Sequence, residues 1–141
     1  MKAIQRLWNV SLHLSAALAL SVLCGVAAAA DVSLSGDDEV PPVKTAATGS
    51  GTITVAADGA VSGSVKTTGV MGTAAHIHLA AKGKNGPVII TLTRVAGGEW
   101  TVPAGARLNA EQMKSFRAGE LYVNVHSDAN RDGEIRAQLA P

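Results

Sequence analysis

The sequence has little cysteine, few aromatic residues and no excess of charge of either sign. Its one cysteine, Cys24, lies among apolar residues near the start, so residues 31–141 can form no disulfide framework. Only Trp100, Phe116 and Tyr122 are aromatic in that range, so a core there must be built mainly from aliphatic side chains. All 11 acidic residues and all but two of the 12 basic residues lie there without a basic patch, which argues against nucleic-acid binding.

Common catalytic motifs are also missing. Residues 31–141 contain no cysteine nucleophile and no G-x-S-x-G elbow. Ser62 and Ser64 have no identified base, and the glycines mark turns rather than a phosphate-binding loop. The sequence therefore leans against an enzyme.

The first thirty residues have the three parts of an export signal. Two basic residues near the start precede an apolar stretch over residues 14–26, and small alanines fill residues 27–30 in front of Asp31. The apolar stretch is short for a membrane span of about 20 residues. We predict a signal peptide over residues 1–30 and one periplasmic or secreted domain over residues 31–141, with no membrane span after cleavage. Retention of the leader as an anchor is the alternative.

Most of the remaining chain alternates polar and apolar residues as β-strands do. The clearest case is a hairpin in which residues 52–56 and 61–66 flank the turn dipeptide Asp58-Gly59. Residues 88–95 are rich in β-branched side chains and are predicted to be buried on both faces. The other predicted strands are residues 32–35, 74–81, 99–102, 120–126 and 134–139.

This series of short strands predicts an all-β fold. We expect an antiparallel β-sandwich or small Greek-key barrel of about seven to eight strands. One short helix is predicted over residues 110–118, because Asn109 is a favourable N-cap and Gln112 completes the spacing of a capping box.

Three histidines fall on the outer faces of two predicted strands. His76 and His78 are two residues apart, so both side chains leave the same face, and His126 lies on the outer face of a later strand. If the two strands are neighbours, the three imidazoles converge. Imidazole is a ligand for copper and zinc, and three histidines leave an open coordination position. The sequence thus predicts a three-histidine metal site, with hydrogen-bonded surface histidines as the alternative.

Four further residues are candidates to support that site. Tyr122 and Asn124 share the face of His126 and are candidates to orient its ring, or simply to pack in the sheet. Glu134 and Arg136 share a face of the last strand and form a candidate salt bridge or cross-strand anchor. An exposed pair of this kind contributes under about 1 kcal/mol.

A calcium-loop spacing occurs between the last two predicted strands. Asp128, Asn130 and Asp132 alternate in front of Gly133, as oxygen ligands do in such loops. The glutamate that would complete the loop is replaced by Leu139, and the same residues suit an ordinary turn. The turn is the favoured prediction and calcium is the alternative.

Several motifs, in order along the chain, resemble those of the CHRD domain family. They are Glu39-Val40-Pro41-Pro42-Val43, Ala75-His76-Ile77-His78, Gly86-Pro87-Val88 before Ile90-Thr91-Leu92, Leu108-Asn109-Ala110-Glu111-Gln112 with Ala118-Gly119, Leu121-Tyr122-Val123-Asn124-Val125-His126 and Gly133-Glu134-Ile135-Arg136. The resemblance covers essentially all of residues 31–141. It implies an extracytoplasmic β domain and no settled activity.

A fainter likeness is to the copper/zinc superoxide dismutases. Those β-sandwiches bind copper through a His-x-His pair and a later Val-His ahead of an Asp-rich segment, which His76-Ile77-His78 and Val125-His126 resemble. The zinc-bridging histidine, the zinc loop and the disulfide pair are missing. The likeness implies at most a copper-only site, with Arg136 as a candidate anion-attracting group.

The leading hypothesis is an exported binding protein that holds copper or a similar transition metal through His76, His78 and His126. One alternative is a metal-free module that binds an extracytoplasmic protein or an envelope polymer. The other is a copper-only enzyme similar to superoxide dismutase.

Overall fold

A computed structural model describes residues 26–141 and confirms the all-β architecture. The described part contains nine antiparallel strands and one α-helix, so the strand count is slightly higher than predicted. The elements are β1 (Ala28–Ser35), β2 (Thr48–Val55), β3 (Val61–Thr68), β4 (Gly72–Leu79), β5 (Val88–Thr91), β6 (Thr93–Arg94), β7 (Glu99–Thr101), α1 (Ala110–Arg117), β8 (Leu121–Ser127) and β9 (Ile135–Leu139).

The strands form one sheet that nearly closes into a barrel. Their order is β5-β4-β8-β9-β1-β2-β3-β7-β6. The two ends of this order, β5 and β6, follow each other along the chain with only Leu92 between them. The chain passes from one end of the sheet to the other at Leu92. The Leu92 N–H still donates to the Ala75 carbonyl of β4 at 2.9 Å, and the next two residues form β6 at the opposite end.

Alternation along the strands supplies the core. Inward side chains from strands on both sides of the barrel are almost fully buried, among them Ile53, Val65, Ile77, Val123, Val125 and Ile135. Helix α1 adds Met113 and Phe116 to the same cluster. The predicted capping box is present, since Asn109 and Gln112 each accept from the other's backbone N–H at 2.9 Å.

The predicted strand over residues 88–95 is wrong in one respect. It is divided at Leu92 into β5 and β6, and Val88 and Val95 are 48% and 45% exposed, so the segment is not buried on both faces. Strand β5 pairs only with β4, and β6 only with β7, because the segment lies where the two ends of the sheet meet. A strand with one neighbour has an open edge, and solvent reaches the side chains beside that edge.

The predicted leader falls mostly on residues that the structure does not describe, so its removal stays a prediction. Residues 28–30 begin β1 and pair with β2 opposite Val55, Thr54 and Ile53. Ala30 is 5% exposed, so cleavage before Asp31 would shorten a strand that contributes to the core. Within residues 26–141, no helix has the length and apolarity needed to cross a membrane.

Two connecting segments, residues 36–47 and residues 80–87, cover the outer face of β8 and β9. Arg136 on β9 bonds Glu39 from the first segment and Asn85 from the second. The Asn85 side chain also donates to the Val40 carbonyl at 2.9 Å, which ties the two segments together. Polar residues on this face of the sheet are therefore buried, although they point away from the barrel core.

Candidate metal centre

The pairing of β4 with β8 brings the three histidines together. His76 lies opposite Asn124, His78 opposite Tyr122, and His126 opposite Ala74, all on the outer face. Residues opposite or diagonal on one face of neighbouring strands lie within about 5–8 Å of each other. One nitrogen from each of the three rings lies within 4.8 Å of the other two. The sequence could only assume that the two histidine-bearing strands are neighbours, and the structure shows that β4 and β8 are.

Backbone carbonyls fix which nitrogen of two rings carries the proton. His78 Nδ1 lies 2.9 Å from the Gly86 oxygen, and His126 Nδ1 lies 2.8 Å from the Arg131 oxygen. A carbonyl oxygen only accepts, so both Nδ1 atoms carry hydrogen and both Nε2 atoms carry a lone pair. Metal-binding histidines are usually held in this way, with the non-ligating N–H bonded to a backbone carbonyl or carboxylate.

The buried Nε2 of His78 makes no hydrogen bond of good geometry, although the Asn124 side chain lies close enough to the ring to raise its pKa. His78 is only 8% exposed, so solvent reaches little of its ring. A buried polar atom without a partner is rare and costs free energy, about 1–3 kcal/mol. A metal ion bound through the Nε2 lone pair would satisfy this atom, so the donor set fits a transition metal.

The distances between ring nitrogens are close to those of a shared metal ion. Bonds of about 2.0–2.1 Å put two ligand nitrogens about 2.9 Å apart at a right angle, about 3.3 Å at the tetrahedral angle and at most about 4.1 Å apart. His76 Nδ1 lies 2.9 Å from His126 Nε2. The widest separation between two of the three ring nitrogens is 4.8 Å at most, and it would have to shrink by about 0.7 Å for all three to bind one ion.

The protonation states also suit metal binding. Burial lowers the pKa of His76, and the adjacent rings of His126 and His78 lower it further. Burial likewise lowers the pKa of His78, whereas hydrogen bonds with the Gly86 carbonyl and the Asn124 side chain raise it. Both rings are therefore neutral around pH 7, so each has one nitrogen lone pair for a metal ion. Without metal, His76 Nδ1 donates to His126 Nε2, and it must lose that hydrogen before it can bind the ion itself.

The Tyr122 ring contacts His78, whereas the strand pattern predicts that it orients His126. The Tyr122 and His78 rings are stacked, with centroids 4.7 Å apart and planes 2° from parallel. The guanidinium carbon of Arg136 lies 3.8 Å from the Tyr122 centroid. His126 is held instead by the Arg131 carbonyl, a backbone contact that strand alternation cannot reveal.

Arg136 forms a buried salt bridge with Glu39, a residue outside every predicted strand. Its Nε and Nη2 lie 3.1 Å from Glu39 Oε2, and both side chains are at most 3% exposed. It also donates to the Lys84 carbonyl at 3.0 Å and to Asn85 Oδ1 at 2.6 Å. Burial raises the pKa of Glu39, although the Arg136 guanidinium opposes this.

One of the two alternatives predicted for Glu134 and Arg136, a salt bridge between them, is wrong. The ion-pair partner of Arg136 is Glu39, because residues 36–47 fold over this face and bring that carboxylate to the guanidinium. The role of Arg136 in attracting an anion stays a prediction; its charge is paired with Glu39, and carbonyl and amide oxygens accept from its other nitrogens. Asn124 joins the same network, donating to Glu39 Oε1 at 3.5 Å.

Comparison with protein families agrees with the motifs. The family model of the CHRD domain matches residues 30–139. The chain belongs to the CHRD domain family. No curated protein and no solved structure gives a significant match.

The predicted calcium loop of this CHRD domain has the geometry of a turn. The Ser127 and Gly133 N–H groups both donate to the Asn130 carbonyl at 3.2 Å. Asn130 and Asp132 line a cleft of about 230 Å³ beside Glu39, whereas Asp128 lines a second cleft. The three side chains thus do not share one cavity. Calcium binding stays a prediction, and the turn explains the residues without it.

Glu134 of the CHRD domain anchors one of the covering segments. Thr45 donates to Glu134 Oε1 at 2.7 Å. Burial raises the pKa of Glu134, but hydrogen bonds from the Ser127, Thr45 and Asn130 side chains outweigh it and hold the pKa below its usual value. The ionised carboxylate is therefore the form that the fold stabilises.

We expect Glu134→Gln to lower the free energy of unfolding at pH 7 by about 1.5–3 kcal/mol, as expected for loss of hydrogen bonds to a charged group. A lowered pKa means that this stabilisation is complete above about pH 4.5 and is lost as pH falls through the folded-state value. The difference between wild type and variant should shrink toward zero in urea unfolding below that range. A difference that stays constant from pH 7 to pH 3 would contradict the assignment.

Proposed function

We propose that this CHRD domain belongs to an exported protein that binds copper, as Cu(II), through His76, His78 and His126. The observation that carries the proposal is the buried, unpartnered Nε2 of His78 beside two other ring nitrogens. The leader pattern of residues 1–30 supports export to the periplasm or outside the cell.

Copper is favoured over other metals by the type of donor. Neutral imidazoles suit copper and zinc better than hard cations such as calcium, and copper binds most tightly among the divalent first-row metals.

Binding or delivery of copper is favoured over catalysis. A superoxide dismutase needs an attractive charge for its anionic substrate, and the candidate that the sequence suggests, Arg136, is paired with Glu39 in a buried salt bridge. The metal-free interaction module stays an alternative that copper titration decides.

We expect the purified protein to bind one Cu(II) per chain, with a visible d–d absorption band. Free copper at a hundred times the dissociation constant should stabilise the fold by about 2.7 kcal/mol, a rise in melting temperature of roughly 10 °C. The triple variant His76→Ala/His78→Ala/His126→Ala should lose both effects. Thr91→Ala, which changes the residue opposite His76 on β5 without removing a ring nitrogen, is the matched control.

The titration separates the three hypotheses. Equal copper affinity in wild type and in the triple variant would exclude the histidine site and leave the interaction module. Tighter binding of zinc than of copper would exclude the assignment of the metal. Rapid superoxide loss with the copper-loaded protein, above that of free copper in buffer, would favour the enzyme.

A further inference from the structure

We infer that Tyr122 is a positioning residue of the metal centre and makes His78 its most firmly oriented ligand. This inference rests on the proposed copper site. Strand β8 lies between β4 and β9, so His78 and Arg136 approach the Tyr122 ring from opposite sides. The three side chains form a column whose far end, Arg136, is bonded to Glu39.

Two independent contacts define the orientation of the His78 ring. Stacking on Tyr122, with the planes 2° from parallel, sets the plane of the imidazole. The hydrogen bond from Nδ1 to the Gly86 carbonyl, 2.9 Å long, sets its rotation within that plane. Once both are set, the direction of the Nε2 lone pair follows, and this atom makes no hydrogen bond of good geometry.

Gly86 links the two rings of the column. Its N–H donates to Tyr122 Oη at 3.3 Å, while its carbonyl accepts from His78. A Cβ at this position would collide with the Leu79 carbonyl and would lie 2.9 Å from Ala80 Cβ, so the close approach of this loop to β4 requires glycine. The loop that covers the face of the sheet therefore also holds a metal ligand.

The other two histidines are held less firmly. His76 and His126 are only partly buried, and they contact each other through a 2.9 Å hydrogen bond that a metal ion would replace. His126 keeps its 2.8 Å hydrogen bond to the Arg131 carbonyl but, unlike His78, is not stacked on another ring. When the three nitrogens close to bonding distance, we therefore expect His76 and His126 to move more than His78. A rigid ligand lowers the ordering cost of binding, so loss of the Tyr122 ring should weaken metal affinity.

The cation on the far side strengthens the stack. A guanidinium over an aromatic face is attracted by the ring quadrupole, and the interaction is strongest where water is excluded. Tyr122 and Arg136 are each about 2% exposed, so this contact is fully desolvated. Because the stacking contact needs the ring and not the hydroxyl, phenylalanine should preserve the plane of the His78 ring and lose only the hydrogen bond from Gly86 to Tyr122 Oη.

The test compares copper binding by Tyr122→Leu and Tyr122→Phe in the full-length chain. We expect Tyr122→Leu to bind Cu(II) some 10–100 times more weakly, the range seen when a residue that orients a ligand is removed. Its electron paramagnetic resonance spectrum should show altered copper hyperfine splitting. Tyr122→Phe keeps the stacked ring and loses only the hydrogen bond from Gly86, so its affinity and spectrum should lie much closer to wild type than those of Tyr122→Leu.

The matched control is Val123→Ala, which removes core packing from the next residue on the inward face of β8. It should lower the melting temperature without changing the copper spectrum. Identical affinity and spectrum in Tyr122→Leu and in wild type would overturn this inference while leaving the copper site intact. Absence of copper binding in wild type would instead overturn the proposed function.

A measurement on the metal-free wild type covers the case in which Tyr122→Leu does not fold. Ring-nitrogen NMR should show His78 as a single tautomer with hydrogen on Nδ1. Averaging of His78 between both tautomers would overturn the inference, because it would show that the Nδ1 hydrogen bond to the Gly86 carbonyl does not hold the ring.

Discussion

Replacing Arg136 with methionine should lower the free energy of unfolding by about 3–5 kcal/mol, the cost of removing one member of a buried ion pair. For a domain of this size, the melting temperature should fall by roughly 10–25 °C. The variant leaves the Glu39 carboxylate, 2% exposed, without its counter-ion. It also frees the Lys84 carbonyl and the Asn85 amide oxygen, so both covering segments lose their anchor on β9.

The double variant Glu39→Gln/Arg136→Met separates the ion pair from the packing of the two side chains. It should be more stable than Arg136→Met alone, because a neutral amide in place of the carboxylate removes the uncompensated charge. Strictly additive effects of the two substitutions would show that the ion pair contributes nothing.

An exposed ion pair in the same protein provides the matched control for Arg136. Arg107 and Asp58 also form a salt bridge, with Nη2 2.9 Å from Oδ2, but their side chains are 54% and 62% exposed. Arg107→Met should therefore have a far smaller effect than Arg136→Met in the same denaturant titration. Equal losses in both variants would contradict the role given to burial.

Replacing Gly133 with alanine should lower the free energy of unfolding by about 2–6 kcal/mol, the sum of a backbone cost and a packing cost. Gly133 has φ of +133°, a conformation that costs other residues about 1–3 kcal/mol. Its Cβ would also collide with Glu39 Oε1 and would lie 2.7 Å from Asn124 Nδ2. Forcing a methyl group into such a packed site adds about 1–3 kcal/mol.

Gly83 provides the control, because it too has a positive φ but lacks the crowding. Its φ is +76°, and no heavy atom lies within 4 Å of the position that a Cβ would take. Gly83→Ala should therefore show only the backbone cost, about 1–2 kcal/mol. Thermal unfolding of both variants measures the difference, and a Gly133→Ala variant as stable as Gly83→Ala would show that the Glu39 network can move aside.

The predictions for Arg136 and for Gly133 both test the buried polar network around Glu39. Glu39 bonds Arg136, and Gly133 leaves room for the Glu39 carboxylate beside Asn124. Arg136 in turn packs on Tyr122, which stacks on His78. This series of contacts, from the covering segment to the candidate metal ligand, gives the outer face a single, connected structure.

Period-two alternation explains why much of the fold and part of the site could be predicted. It placed His76 and His78 on one face, because consecutive side chains of a strand point to opposite sides. Local signals also located the hairpin at Asp58-Gly59 and the helix that Asn109 caps. Each of these features depends on residues that are neighbours in sequence.

Glu39 could not be found in the same way. It lies in an irregular segment that has no periodicity, 97 residues from its partner Arg136. The one signal was its place in the Glu39-Val40-Pro41-Pro42-Val43 motif of the family resemblance, which names the residue but not its contact. The carbonyls of Gly86 and Arg131 are also invisible to sequence patterns, because any residue has a carbonyl.

By itself, the sequence determined the all-β class, the short helix and the faces on which the three histidines lie, because all of these follow from local spacing and chain geometry. Only the tertiary structure decided that β4 and β8 are neighbours and that loops bury the outer face of the sheet. It also decided that His78 stacks on Tyr122 and that Arg136 pairs with Glu39. Such contacts join distant parts of the chain, and they are selected by the packing of the whole barrel rather than by any one segment.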